Sequence, residues 1–170
     1  FDKYVYVVLK LVNWNPAKNL FSTQQISIIF GTNFLLSFLE EPYDGIKVIA
    51  ERIKHAQGRT REHNADYLAY TIIDSVIDQY FVVLEGIGEQ IETTEENIMK
   101  SPTREKANVL YRLKRQMIMF RKAVWPAREV VNNLLRINEA LVSSSTLPYL
   151  RDVYDHTVQV IDTIETYRDM

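Results

Sequence analysis

A chain of 170 residues that is 46% hydrophobic and 25% charged is long enough for one sizeable core and does not resemble the disordered classes. Its net charge of −2 removes the usual electrostatic argument for a nucleic-acid partner, and the absence of cysteine removes disulfides, thiol nucleophiles and thiolate metal sites, which fits a reducing compartment. No signal-peptide pattern opens the sequence and no apolar run approaches the ~20 residues that span a bilayer, so the chain as it stands is expected to be soluble.

Residues 3–12, KYVYVVLKLV, are aromatic and β-branched with apolar side chains on both alternations, which predicts a strand covered on both faces. Two further runs, 24–30 and 33–39, are separated by Gly31-Thr32 and read as a hairpin. After Pro42 and Gly45 the period changes. Ile46, Ile49 and Ile53 mark a short helix over 44–57 that ends at Gly58, and a polar, basic connection follows.

From Ala65 to Lys100 no proline interrupts a mostly helical rhythm of Leu68, Ile72, Val76, Val83, Ile87 and Ile91, giving a helix about 50 Å long at 1.5 Å per residue. Ser101-Pro102 read as the cap and first turn of a second long helix, with Pro126 inside it. Two such helices joined by a short turn form an antiparallel hairpin. A last helix begins near Pro148, capped by Ser145 or Thr146. Its Leu150, Val153, Thr157, Val160, Ile164 and Tyr167 fall on one stripe that reads as a seam. No Gly, Asn or Pro closes that helix, and the chain opens on Phe1 directly before a strand, so both ends are expected to be cuts through a longer protein.

The expected fold class is α+β and mostly α. Residues 1–63 form a small β-sheet part, 64–142 the helical hairpin, and 145–170 the C-terminal helix.

His55, His63 and His156 belong to no recognisable catalytic arrangement, and the sequence has no HExxH, phosphate loop or nucleophile elbow, so no enzyme is expected. The aspartates carry more. Asp74 and Asp78 lie one helical turn apart in an otherwise apolar stretch, and Asp152 and Asp155 repeat the arrangement at i, i+3. Like-charge pairs at such spacing cost about 0.2–0.5 kcal/mol even when exposed, a cost that a cation relieves. Hard divalent ions such as Mg²⁺ take oxygen ligands and keep most of their water, so one or two carboxylates per weak site are enough. The competing reading has each pair solvated or bonded to Arg59, Arg61 or Arg151, and spacing alone favours it.

Three segments shift that balance. YLAYTIIDSVIDQYFVVLE, LKRQMIMFRKAVWPAREVVNNLLR and above all YLRDVYDHTVQVIDTIETYRDM resemble the CorA family of magnesium and cobalt transport proteins, in the family's order and spacing and over essentially the whole chain. The resemblance implies the C-terminal part of a cytoplasmic domain: the end of an α/β sandwich, the hairpin, and the start of a stalk helix. The membrane segments and their Gly-Met-Asn pore signature would follow Met170 and are not in this sequence. It further implies a homopentamer at the cytoplasmic face of the inner membrane. Its divalent ions, Mg²⁺ with Co²⁺ or another cation as alternatives, would bind between subunits and favour the closed state. The family's metal-binding aspartates fall on Asp152 of the stalk helix and Asp74 of the first long helix, with further acidic ligands expected before Phe1. The ion carried stays open, because zinc-transporting relatives share the architecture. The tip of the hairpin is only moderately acidic, through Glu85, Glu89, Glu92, Glu95 and Glu96, beside Lys114, Arg115, Arg121 and Lys122. The reading from another class is a hairpin adaptor that oligomerises through its C-terminal seam.

Overall fold

The computed structural model describes residues 3–15, 17, 18 and 20–169. Phe1, Asp2, Pro16, Asn19 and Met170, which the expected segments include, lie outside the described residues. The elements are β1 (Val5–Asn15), β2 (Leu20–Phe30), β3 (Leu35–Leu39), α1 (Asp44–Lys54), α2 (Ala65–Lys100), α3 (Arg104–Leu134) and α4 (Leu147–Asp169). A small antiparallel sheet of order β1-β2-β3 followed by four helices is the α+β, mostly α arrangement expected.

The sheet is built from two hairpins. Gly31 N donates to Phe34 O at 3.0 Å in the β2–β3 turn, as the Gly31-Thr32 pair predicts. The β1–β2 hairpin is longer than the apolar runs suggest, because Asn13↔Ser22 and Trp14↔Phe21 still pair beyond them. Alternation sets Val7, Leu9 and Leu11 inward, opposite Ile28, Ile26 and Gln24. The outer face departs from the expected double cover: Tyr6, Leu36 and Phe38 are each more than half exposed.

α1 ends at Lys54, before Gly58, because Ala56 already takes a left-handed φ of 53°. The start of α3 also differs from expectation. Thr103, not Ser101, is its N-cap, and the Thr103 side chain accepts from Lys106 N at 3.3 Å.

The inner face of the sheet lies on α2 and α3, and α4 packs on both helices, giving a layer order of sheet, helix pair, α4. By length and composition α2 could cross a membrane. Here Ile73, Val76, Ile77, Tyr80, Val83, Ile87 and Ile91 are fully buried in the core instead. The stripe expected as a seam on α4 is also buried within the chain: Val153, Thr157 and Val160 have no exposure, and Leu150 and Ile164 almost none. An adaptor that oligomerised through this stripe would need it free.

Close packing near the end of α4 depends on a missing side chain. Tyr167 sits directly over Gly88 of α2, and a Cβ there would overlap its phenol oxygen and ring. Gly88→Ala is therefore expected to displace Tyr167 from α2, a cost partly offset by the roughly 1 kcal/mol that Ala gains over Gly inside a helix. Amide hydrogen exchange should speed up over residues 160–169 and stay unchanged in the sheet; an unaltered pattern would mean that α4 is not seated there.

Candidate divalent-cation site

α2 and α4 run side by side from their first turns, where an aromatic cluster joins them. The Tyr67 ring lies 5.2 Å from Tyr70 and 5.2 Å from Tyr149, Tyr70 and Tyr149 are also 5.2 Å apart, and His63 stacks on Tyr67 at 4.2 Å. Tyr149 opens α4 and Tyr67 opens α2, so the cluster fixes their relative register. One to two turns further along, Asp74 of α2 and Asp152 of α4 come within electrostatic reach of each other.

Asp74 is half-buried and Asp152 exposed. Burial, then the charge of Asp78, pushes the Asp74 carboxyl above its ordinary range; Asp152 adds to the rise, while His156 and a hydrogen bond from Tyr70 Oη to Oδ2 at 3.4 Å oppose it. The Tyr70 phenol is itself pushed up, by burial and by Asp74. His156 is exposed and meets Phe81 edge-on at 6.0 Å.

Two of the three arginines that could have neutralised these carboxylates are engaged elsewhere. Arg59 Nη1 donates to Tyr149 Oη at 3.4 Å, and Arg61 donates to the carbonyls of Ile53 and Lys54 at 2.6 and 3.2 Å. Among the described residues no ion pair involves Asp74, Asp78, Asp152 or Asp155. Of the competing reading, pairing to arginine is not seen among the described residues, and solvated pairs remain, with Asp78, Asp152 and Asp155 exposed. A hard cation that keeps most of its water suits this donor set. No group of three or more His, Cys, Asp or Glu that could hold a metal occurs among the described residues.

Tyr70 was not singled out from the sequence, although its place four residues before Asp74 on one helix is a readable signal. Asp66 was also missed. It is buried at the start of α2 and accepts from Ser143 N at 2.8 Å and Ser143 Oγ at 2.7 Å, which ties the connection before α4 to the base of the hairpin.

A small antiparallel sheet on a long helical hairpin, with a last helix packed on both helices of that hairpin, defines the fold of this domain. The chain belongs to the CorA-like Mg²⁺ transporter family, whose family model matches residues 1–170. It is 40% identical over all 170 residues to the cobalt/magnesium transport protein CorA of Thermotoga maritima, covering 48% of that protein, and 24% identical to the putative metal ion transporter YfjQ of Bacillus subtilis, covering 52%. Among solved structures, the complete CorA magnesium transporter of Methanocaldococcus jannaschii superposes with a TM-score of 0.84 at 21% identity, over 98% of this chain and 52% of that one. The soluble domain of the same organism's CorA gives 0.84 at 20% identity, over 99% of this chain and 67% of that one. The chain thus spans about half the length of the curated relatives it matches. The family is one of transporters rather than enzymes.

Proposed function

We propose that this chain is the metal-sensing part of the cytoplasmic domain of a divalent-cation channel for Mg²⁺ and Co²⁺, and that Asp74 and Asp152 supply its share of an ion site completed by a neighbouring subunit. One observation carries the reading: Asp152 on α4 adds to the rise of the Asp74 carboxyl on α2, and neither aspartate makes an ion pair among the described residues. The membership of the chain in a family of Mg²⁺ transporters supports the choice of ion. Bound Mg²⁺ neutralises facing carboxylates, bridges subunits of a homopentamer and favours the closed state; loss of the ion leaves repulsion that frees the stalk. The whole protein would lie in the inner membrane with this domain on its cytoplasmic face, reached through segments beyond this sequence.

The sign of the Asp74 effect is testable. A carboxyl whose folded pKa is raised binds its proton more readily when folded, so stability falls as pH rises from the unfolded value of about 3.9 through the folded one. At neutral pH the charge on Asp74 therefore costs stability unless an ion is present. In the full-length protein without divalent ions, Asp74→Asn is expected to raise the melting temperature; millimolar Mg²⁺ should raise that of the wild type and leave the variant nearly unmoved. A variant that melts lower than wild type without metal and still responds to Mg²⁺ contradicts the site.

A further inference from the structure

The end of the β1–β2 hairpin stands beside α3 and leaves a space that the core does not fill. Phe21 of β2 holds this end in place, its ring edge-on to Phe120 of α3 at 5.7 Å. Next to that contact lies a cavity of about 330 Å³, within the usual size range of small-molecule sites. Val109, Arg112, Leu113 and Gln116 fall at i, i+3, i+4 and i+7 of α3 and make one wall, in which Leu113 and Gln116 are the buried part. Lys18 and Leu20, at the hairpin end, make the other.

Two properties of the lining point to a ligand. The first is charge. Lys18, Arg112 and Arg115 all border the cavity, no carboxylate lines it, and none of the three side chains makes an ion pair or hydrogen bond among the described residues. This cationic cluster stands out against a net charge of −2 for the chain. The second is uncovered apolar surface on both walls: Leu20 is 52% exposed and Met119 of α3, which also lines the cavity, 55%. Guanidinium forks match phosphate oxygens two at a time, and a phosphate monoester carries a charge of about −1.5 to −2 at neutral pH. An inorganic anion would use the cations alone, and an uncharged apolar molecule the walls alone. Only a molecule with both parts uses the whole lining.

We propose that this cavity binds a small, soluble organic phosphate. Lys18, Arg112 and Arg115 hold the phosphate monoester, and a flat or apolar body lies against Leu20, Val109 and Met119. Because the lining comes from the β1–β2 hairpin and from α3, the bound molecule ties the sheet to the helical hairpin. The cavity shares no element with Asp74 and Asp152, so it stands or falls separately from the ion site.

Equilibrium dialysis of the full-length protein tests this, with naphthyl phosphate as the probe and inorganic phosphate and naphthol as its two halves. Saturable binding of the probe, at least tenfold tighter than of either half, is the expected result. Arg112→Glu, Arg115→Glu and Leu20→Asp, all at exposed positions, should each weaken it at least fivefold with circular dichroism unchanged. Lys122→Glu, which alters an exposed cation of the same helix outside the cavity, should leave it as it was. The probe should also raise the melting temperature of the wild type and not that of Arg115→Glu. Equal affinity for the probe and for inorganic phosphate would overturn the proposal, as would probe binding that survives both arginine substitutions. Dihexanoyl phosphatidic acid makes the last arm: if it binds, loses affinity in Arg115→Glu, and naphthyl phosphate does not bind at all, the cations serve a lipid and the proposal of a soluble ligand is overturned.

Discussion

Phe120→Ala is expected to destabilise the chain by about 3–5 kcal/mol, the range for removing a large buried aromatic side chain. Phe120 is fully buried where three elements meet. Its ring lies edge-on to Phe21 of β2 at 5.7 Å and to Tyr80 of α2 at 6.1 Å. Tyr80 is itself buried and donates from Oη to Lys10 O of β1 at 2.6 Å, so the site cannot collapse freely to fill the space. With roughly 2–4 °C lost per kcal/mol for a chain of this size, the melting temperature should fall by about 10 °C or more. Urea titration followed by circular dichroism measures the loss, and a cost below about 1 kcal/mol would mean that the sheet and the hairpin are not joined through this ring.

The second large effect is expected at Asp66. Alanine there removes the acceptor of the half-buried Ser143 N–H and the carboxylate partner of Ser143 Oγ, which keeps Ser145 Oγ and Thr146 Oγ1 in reach, and takes a negative charge from the first turn of α2. A loss of about 2–4 kcal/mol follows from the charge-assisted bonds and the helix-end term. Burial pushes the Asp66 carboxyl up, but the hydrogen bonds from Ser143, Thr146 and the Tyr67 amide outweigh it and hold the carboxyl below its usual range. A carboxyl depressed in the folded state contributes stability above its unfolded pKa of about 3.9 and loses it as pH falls through the folded value. Wild type and Asp66→Ala should therefore differ at pH 7 and converge near pH 2 in melts followed by circular dichroism. A gap that stays constant across that range would remove the ionised carboxylate from the account.

Much of this architecture was readable because its signals are local. α2 was placed residue for residue, since nothing from Ala65 to Lys100 breaks a helix. The β1–β2 turn was less legible: Asn13 and the Ser22-Thr23 pair interrupt the apolar pattern, although backbone pairing runs through them to Asn15↔Leu20. The cap of α3 was off by two because both Ser101 and Thr103 flank Pro102, and only the side-chain bond to Lys106 N distinguishes them. The seam on α4 was correctly seen as an apolar stripe, but periodicity does not say whether the partner is another chain or the helices of the same one. At the site, each acidic pair was visible by spacing. The influence of Asp152 on Asp74 was not, because it depends on the edge-on and tilted packing of Tyr67, Tyr70 and Tyr149 across two helices. Asp66 read as an ordinary first-turn aspartate, and only the folding back of Ser143 buries it.

Ion-dependent closure of the stalk is tested most directly at Asp152. A ligand that binds only the closed state stabilises it by about 0.4 kcal/mol per site when its concentration equals Kd, and by about 1.4 at ten times Kd. Five independent sites in the proposed pentamer would add to roughly 2 and 7 kcal/mol, enough to move a gate that starts within a few kcal/mol of balance. Asp152 is exposed, so Asp152→Asn should leave the fold intact while removing both a ligand and the repulsion that opens the empty state. The measurement is limited proteolysis of the full-length wild type and Asp152→Asn with and without millimolar Mg²⁺, beside circular dichroism of each. Protection of the wild type by Mg²⁺, with the variant unchanged in fold and indifferent to the ion, is the expected result. A variant protected by Mg²⁺ as fully as the wild type would contradict the role of Asp152 and, with it, the metal-sensing function.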